Sequence, residues 1–521
     1  MILQPDFTQH AARLKPCPDT KQHMTEVSAK PRACERIFAE SPALAADRGP
    51  RRRAILVLTL LTLAGAWLRL WHLGSKSLWL DEGATVALAR TSWPHFAWVW
   101  WHGEASLQTI YFLLMRGWVQ AGLSETWLRL PAALFGIASI PLLYAVARKF
   151  AGTSVALAAA ALLTFSPTHV DFSQEARSYT LGILLVLAAT YFFVLAVERD
   201  RPRDWALWTI CGMAAFYTHD FTALVLGAQA AALFFGPSPA PWRRFLVCAA
   251  IIFFAAIPGL TYIFRAPPEN LHFTWMPRPS AREIRHLAMF FGGGGVKAAI
   301  ALLLWIAGAI AILRKRREYA FWRGVLLLLW AILPATILGL ISLREPLFLQ
   351  RYMVFSLPAT VLLAAMGMDG LRKWRLGLLL VVALCAFSLS SIAKQYSRPR
   401  EDWRGASHLV LVSASPGDAV VFFPFYTRNM LDYYRDRYGA SAPLLRIFAP
   451  GFYSGGEDAR NLRIALDRNP HQFRQVWVLV ARKKRMQDFE EGAAVAERLQ
   501  SIFGAPAEHK FADVTVLQFG R

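Results

Sequence analysis

The sequence predicts an α-helical polytopic membrane protein with a small C-terminal α/β region, on three observations. Apolar runs of about 16 to 22 residues recur from Ala54 to Ile392, matching the ~20 residues a helix needs to cross a bilayer. Lys and Arg fall in short clusters between these runs, as cytoplasmic loops do under the positive-inside rule. Beyond Tyr396 the long runs stop, and short apolar stretches alternate with amphipathic ones in the manner of a soluble α/β unit.

Taken in order, residues 1–53 are polar, Pro-containing and basic, ending in Arg48-Gly49-Pro50-Arg51-Arg52-Arg53. They are too long and too polar for the start of a cleaved signal sequence, so a disordered cytosolic tail and an uncleaved first helix are expected, with Met24 as an alternative start. The first span, 54–73, then runs outward. The run 107–123 contains Gln108, Arg116 and Gln120 and is rich in aromatics, which suits an external interfacial helix. Charge supports that choice: if 107–123 crossed, the clusters Arg148-Lys149, Arg199/Arg201/Arg203, Arg314-Lys315-Arg316-Arg317 and Arg372-Lys373 would all fall outside. The remaining spans are expected at 128–147, 153–169, 179–197, 205–219, 221–236, 244–264, 296–313, 322–342, 352–369 and 375–392, about eleven crossings in all, leaving the C-terminus outside. The chain thus divides into 1–53, a membrane domain 54–392 and an extracytoplasmic α/β domain 393–521. In the last, helices are expected at 403–412 and 490–503, and strands at 418–423, 475–480 and 514–519.

Composition excludes several functions. The chain holds 57 Lys and Arg against 35 Asp and Glu, a net charge of +22, but their confinement to loops argues for membrane orientation and against nucleic-acid binding. Cys17 and Cys34 lie in the tail and Cys211, Cys248 and Cys385 in apolar runs, without disulfide or zinc spacing. The run Gly292 to Gly295 lacks the Lys and flanking strand of a P-loop and reads as an external hinge.

In this threading the polar residues nearest the membrane gather on the outer side. Asp81 and Glu82 follow the first span; adjacent helical positions point about 100° apart, so one can face a reaction while the other makes a structural contact. A carboxylate at a low-dielectric edge gains proton affinity, as a general base requires, yet an acidic first turn also caps a helix. Arg177, in Gln174-Glu175-Ala176-Arg177-Ser178-Tyr179, suits a phosphate clamp with Glu175 orienting it; a plain ion pair closing the loop is the alternative. Arg344, Arg351 and Tyr352 form a second external basic edge, which either meets an anion or snorkels to headgroups. His219-Asp220 occupies a tight turn. A metal site there would need companions such as His102, Glu104 or His272, and no ligand spacing appears, so a divalent metal is left open and no cofactor is required.

Together these segments resemble the GT-C membrane glycosyltransferases that use lipid-phosphate sugars, specifically the bacterial group similar to glycosyltransferase family 39, with its protein O-mannosyltransferases and lipid A aminoarabinose transferases. The likeness rests on Leu78-Trp79-Leu80-Asp81-Glu82, Trp127-Leu128-Arg129-Leu130-Pro131, Gln174 to Tyr179, Thr218-His219-Asp220, and Gln350-Arg351-Tyr352 with Leu357-Pro358, and covers roughly 54–370. It departs where relatives carry a His-Pro-Pro-Leu-Tyr-type segment and this chain has Glu104 to Tyr111. The resemblance implies a polyprenyl-monophosphate sugar donor, a lipid, glycan or protein acceptor, Asp81 as base and Glu82 as the second acidic position. It implies an inverting transfer on the outer face of a bacterial inner membrane. A transporter or flippase of a lipid-linked or anionic solute is the alternative; it should place ionisable groups or Gly/Pro breaks mid-span in two corresponding halves, and no such repeat is visible.

Overall fold

The computed structural model describes residues 51–102, 108–236, 240–261, 276–316, 318, 320–369, 374–439, 445–449, 458–481, 485–489 and 491–520. The expected tail, apart from its last three residues, lies outside them, as do Glu104 and His272.

All eleven predicted apolar runs form helix. α1 (Arg51–Leu70) is followed by three short helices, α2 (Leu80–Arg90), α3 (Trp93–Trp101) and α4 (Thr109–Trp118), before α5 (Glu125–Phe150). Next come α6 (Thr153–Thr164), α7 (Pro167–Ser173), α8 (Tyr179–Arg199), α9 (Pro202–Thr218), α10 (Ala223–Leu233) and α11 (Trp242–Leu260). α12 (Ala281–Gly292), α13 (Val296–Arg314), α14 (Phe321–Ile341), α15 (Leu357–Asp369) and α16 (Trp374–Ser397) complete the bundle. Among the described residues eight segments are long and apolar enough to span a membrane: α1, α5, α8, α11, α13, α14, α15 with its preceding 3-10 turn, and α16. The protein is a multi-pass membrane protein. α6 and α7 form a ninth candidate, bent by 57°. The expected crossings at 205–219 and 221–236 are shorter helices: the 17 residues of α9 reach about 26 Å, just under a ~30 Å hydrocarbon core.

The bend between α6 and α7 has a local cause. Ser166 caps α7 by accepting from the His169 N–H at 3.3 Å, and Pro167 supplies no N–H to continue α6. Arg69, fully buried in α1, donates to the freed carbonyls of Leu163 and Thr164, each at 3.2 Å. It also lies 2.7 Å from His169 Nδ1; a guanidinium only donates, so that nitrogen is the acceptor. A cation at a helix C-terminus complements the dipole there.

The expected interfacial helix at 107–123 is shorter, α4, and two further helices precede it. At 10 residues α4 cannot cross, and Tyr111, Phe112 and Met115 bury one face against α2. α3, by contrast, exposes Trp93, Trp98 and Trp101, as a helix lying at a membrane surface does. Gly293, Gly294 and Gly295 have φ of 82°, 81° and 58° and reverse the chain between α12 and α13, a turn that a side chain would strain.

The C-terminal region is a five-stranded sheet of β1 (Ala419–Phe423), β2 (Arg446–Phe448), β3 (Gln475–Ala481), β4 (Ala507–Phe511) and β5 (Val514–Gly520) in the order β2-β1-β3-β5-β4. β2, β1 and β3 are parallel; β5 and β4 are antiparallel, with Val480 opposite Thr515. β1 is buried throughout because both faces are covered. Val420, Phe422, Trp477 and Leu479 pack with α17 (Trp403–Ser413) and α18 (Arg428–Tyr438). Val421, Phe423, Val476 and Val478 pack with α19 (Ala459–Arg468) and α20 (Gly492–Phe503). The first of these cores continues without a break into Leu78, Val86, Leu88, Tyr111 and Met115, so the sheet region and the short helices α2 and α4 share one apolar interior.

Candidate active site

α2 begins where Trp79, in extended conformation, presents its N–H to Glu82 Oε2 at 3.2 Å. Glu82 is fully buried, and Arg129, at the start of α5, meets it with two bonds, Nε to Oε1 at 2.8 Å and Nη2 to Oε2 at 2.7 Å. The Ala176 N–H adds a third partner at 2.8 Å. Arg129 spends its remaining donors on the carbonyls of Leu73, Lys76 and Ser77, so all of its N–H groups are used. Burial alone would raise the Glu82 carboxyl; the charge and hydrogen bonds of Arg129, with the charge of Arg400, hold it below its ordinary range. Glu82 is therefore an ionised structural anchor tying three segments together.

With Glu82 anchored, Asp81 on the next position faces elsewhere. Its Oδ2 accepts from Arg351 Nη1 at 2.9 Å, and both side chains keep about a quarter of their surface. Arg177 Nη1 donates to the Asp81 carbonyl and to Thr85 Oγ1, each at 3.2 Å. The Arg177 guanidinium is 6.0 Å from the Tyr179 ring; that of Arg351 is 5.7 Å from Tyr352 and 5.9 Å from Trp79. Burial opposes the charge of Arg177, but Asp81 and Tyr179 outweigh it and raise its proton affinity. Two guanidinium groups thus gather at Asp81, Arg351 on its carboxylate and Arg177 on its main-chain carbonyl, rimmed by aromatic rings.

The other expected residues divide. Gln174 donates to the carbonyls of Arg69 (3.2 Å) and Trp71 (2.7 Å), fastening the end of α1. Glu175 does not pair with Arg177 as the sequence suggested; it and Asp171 both accept from Arg400 Nη2, at 2.9 and 2.8 Å. Burial raises the Glu175 carboxyl, with Arg400 opposing. His219 lies 2.9 Å from Asp220, 5.5 Å from the Tyr179 ring and 6.1 Å from that of Tyr352, which places the tight turn beside the cluster. Arg344 is exposed in the turn after α14. His102 stacks on Trp98 at 4.3 Å and bonds its carbonyl, on the surface helix and away from the cluster. Among the described residues no three His, Cys, Asp or Glu side chains converge as metal ligands.

Sequence reasoning assigned no role to Arg129, Arg400 or Thr85. Arg129 sits in the quoted motif at the start of α5, and Arg400 in the dense charge cluster Arg398-Pro399-Arg400-Glu401-Asp402, signals that marked position without naming a partner.

Residues 109–262 match the family model described as dolichyl-phosphate-mannose-protein mannosyltransferase. No curated protein matches the chain in sequence. Among solved structures, ArnT from Cupriavidus metallidurans bound to undecaprenyl phosphate is similar with a TM-score of 0.57 at 13% identity, over 89% of this chain and 97% of that one. The apo state of the same protein gives 0.57 at 14% identity, over 89% and 97%. The apo oligosaccharyltransferase of Archaeoglobus fulgidus gives 0.52 at 12%, over 86% of this chain and 71% of that one. The structural likeness establishes a fold of the GT-C type, and the stretch from α4 to α11 is similar to the protein mannosyltransferase family.

Proposed function

We propose that the protein transfers a sugar from a polyprenyl-monophosphate donor to an acceptor hydroxyl or phosphate, with Asp81 as base and Arg177, Arg351 and Tyr352 holding the donor phosphate, at the extracytoplasmic surface of a bacterial inner membrane. The observation that carries this is the meeting of three distant segments at Asp81, where Arg351 bonds the carboxylate and Arg177 the main-chain carbonyl of the same residue. An anion completes that charge balance, and a phosphate matches the planar fork of each guanidinium.

Polyprenyl phosphate is a good leaving group, so no strong acid is needed on its side. The acceptor oxygen attacks the anomeric carbon from the face opposite the phosphate. As the new carbon–oxygen bond forms, the acceptor proton passes to an Asp81 carboxylate oxygen. The bond to the phosphate oxygen breaks, and its electron pair stays on the polyprenyl phosphate, whose added charge Arg177 and Arg351 stabilise. One displacement inverts the anomeric centre. When donor phosphate engages Arg351, the Asp81 carboxylate that this arginine holds at 2.9 Å is freed to act as base.

The test is sugar transfer by the purified protein in lipid nanodiscs, supplied with polyprenyl-monophosphate sugar and the lipid, glycan and peptide acceptor classes in turn. Asp81→Asn should lower the rate by about 10²-fold or more while leaving insertion and thermal midpoint unchanged. A folded Asp81→Asn protein with full activity would refute the base assignment. Counterflow of labelled solute without any transfer would favour transport.

A further inference from the structure

Apart from the Asp81 cluster, an open cleft of about 690 Å³ lies where the ends of α1 and α16 meet α17. Lys76, Arg398, Arg400 and Arg404 line it, with His72 and His408, and Asp402 is the carboxylate among its walls. Much of that charge is already committed. Arg404 bonds Glu125 at 2.9 Å and the Gly74 carbonyl at 3.0 Å, and Asp402 caps α17 through the Gly405 N–H at 2.9 Å. Three donors are not. Arg398 is exposed and makes no ion pair among the described residues. Lys76 Nζ reaches the Gln395 carbonyl at 2.5 Å and, among the described residues, no carboxylate. Arg400 gives Nη2 to Asp171 and Glu175, while its buried Nη1 has no hydrogen-bond partner among the described residues.

Burial and the neighbouring charges of Arg400, Arg129 and Arg398 lower the proton affinity of Lys76 against the pull of Asp171, so these cations repel one another across the cleft. A buried guanidinium N–H without an acceptor is costly as it stands, and an oxyanion relieves both that cost and the repulsion. The cleft also adjoins a lipid-facing edge. Trp67 and Trp71 are exposed and stacked at 4.7 Å, Trp71 lies against His72 at 4.9 Å, and His72 against Tyr396 at 6.5 Å. Tryptophans in this setting mark headgroup depth.

We propose that the cleft is a second anion site, which seats a phosphate-bearing group between Lys76, Arg398 and Arg400. The group is drawn either from a membrane phospholipid headgroup or from soluble phosphate. The proposal does not depend on the transfer reading, because its readout is binding.

The experiment uses the whole protein in detergent. Native mass spectrometry counts bound phosphatidylglycerol against phosphatidylcholine, and equilibrium dialysis measures bound inorganic phosphate. Arg398→Glu, at an exposed position, should weaken binding by about tenfold or more, and Lys76→Gln should weaken it in the same direction. Arg316→Glu, exposed at the opposite end of the bundle, should leave it unchanged. A preference for phosphatidylglycerol that Arg398→Glu erases supports a headgroup site; saturable inorganic phosphate lost in the same variant supports a soluble source. Equal binding in wild type, Arg398→Glu and Lys76→Gln, for both probes, overturns the proposal.

Discussion

At the scale of single residues, two neighbouring carboxylates have been given opposite fates by what surrounds them. Glu82 is buried and fully bonded by Arg129, whereas Asp81 keeps accessible surface and a partner that a ligand can take over. The difference predicts distinct failures. Arg129→Met leaves Glu82 charged, buried and unpaired, and should cost roughly 3–5 kcal/mol of stability. The double variant Arg129→Met/Glu82→Met should recover most of that loss, since a buried pair replaced by apolar groups is often neutral. Thermal midpoints of the four proteins in detergent decide it; equal losses in single and double variants would refute the pairing. The sign with pH follows from the lowered Glu82 carboxyl. Its stabilisation is present above the ordinary carboxylate range and is lost as pH falls through its lower folded value, so Glu82→Gln should be less stable near neutrality and less sensitive to acid. Asp81→Asn, by contrast, should cost activity and little stability.

At the scale of elements, close helix contact is set by small residues. A Cβ at Gly367 in α15 would overlap the Leu304 carbonyl in α13, and one at Gly308 in α13 would overlap the Leu363 carbonyl in α15. The two glycines let these backbones touch, the means by which helices associate where lipid offers no hydrophobic gain. Gly367→Val should therefore destabilise the bundle by about 1–3 kcal/mol, against a surface control such as Gly152→Val, where the added carbon meets nothing. A shift no larger than the control's would show that the crossing relaxes. The same scale explains what the sequence could reveal. The eleven apolar runs were legible because a bilayer forces backbone satisfaction within each segment and so writes long uninterrupted signals. β1, β3 and β5 were legible as buried strands. α3 was not, because a nine-residue aromatic helix depends on its surroundings, and neither was α18, whose charged sequence Arg428 to Tyr438 hides one apolar side. Asp81, Arg177 and Arg351 could be singled out as residue types near a membrane, but partner choice could not. Arg129 finds Glu82 across 47 positions and Arg400 finds Glu175 across 225, pairings that only the tertiary fold selects.

At the scale of the whole molecule, the two ends of the bundle carry different chemistry, and that polarity generates the sidedness prediction. One end gathers Asp81, Arg177, Arg351, His219 and the sheet region. The other holds the basic clusters, where Arg323 pairs with Glu198 and donates to the Lys149 carbonyl at 2.8 Å. Orientation follows from counting crossings, and the short helices keep the count consistent. α4 is too short to cross, and α9 and α10 rise together to His219 beside the cluster and return, so their exact depth does not change which side later loops face. With Lys and Arg retained in the cytoplasm, the proposed orientation puts the Asp81 end on the extracytoplasmic side. Arg344 and Arg201, both exposed, lie at opposite ends and make suitable reporters. In a background with the native cysteines replaced, Arg344→Cys should react with a membrane-impermeant maleimide in intact cells, and Arg201→Cys should react after permeabilisation. Labelling of Arg201→Cys in intact cells, with Arg344→Cys protected until the membrane is opened, would place the chemistry on the cytoplasmic side, where the charge distribution along the chain would no longer make physical sense.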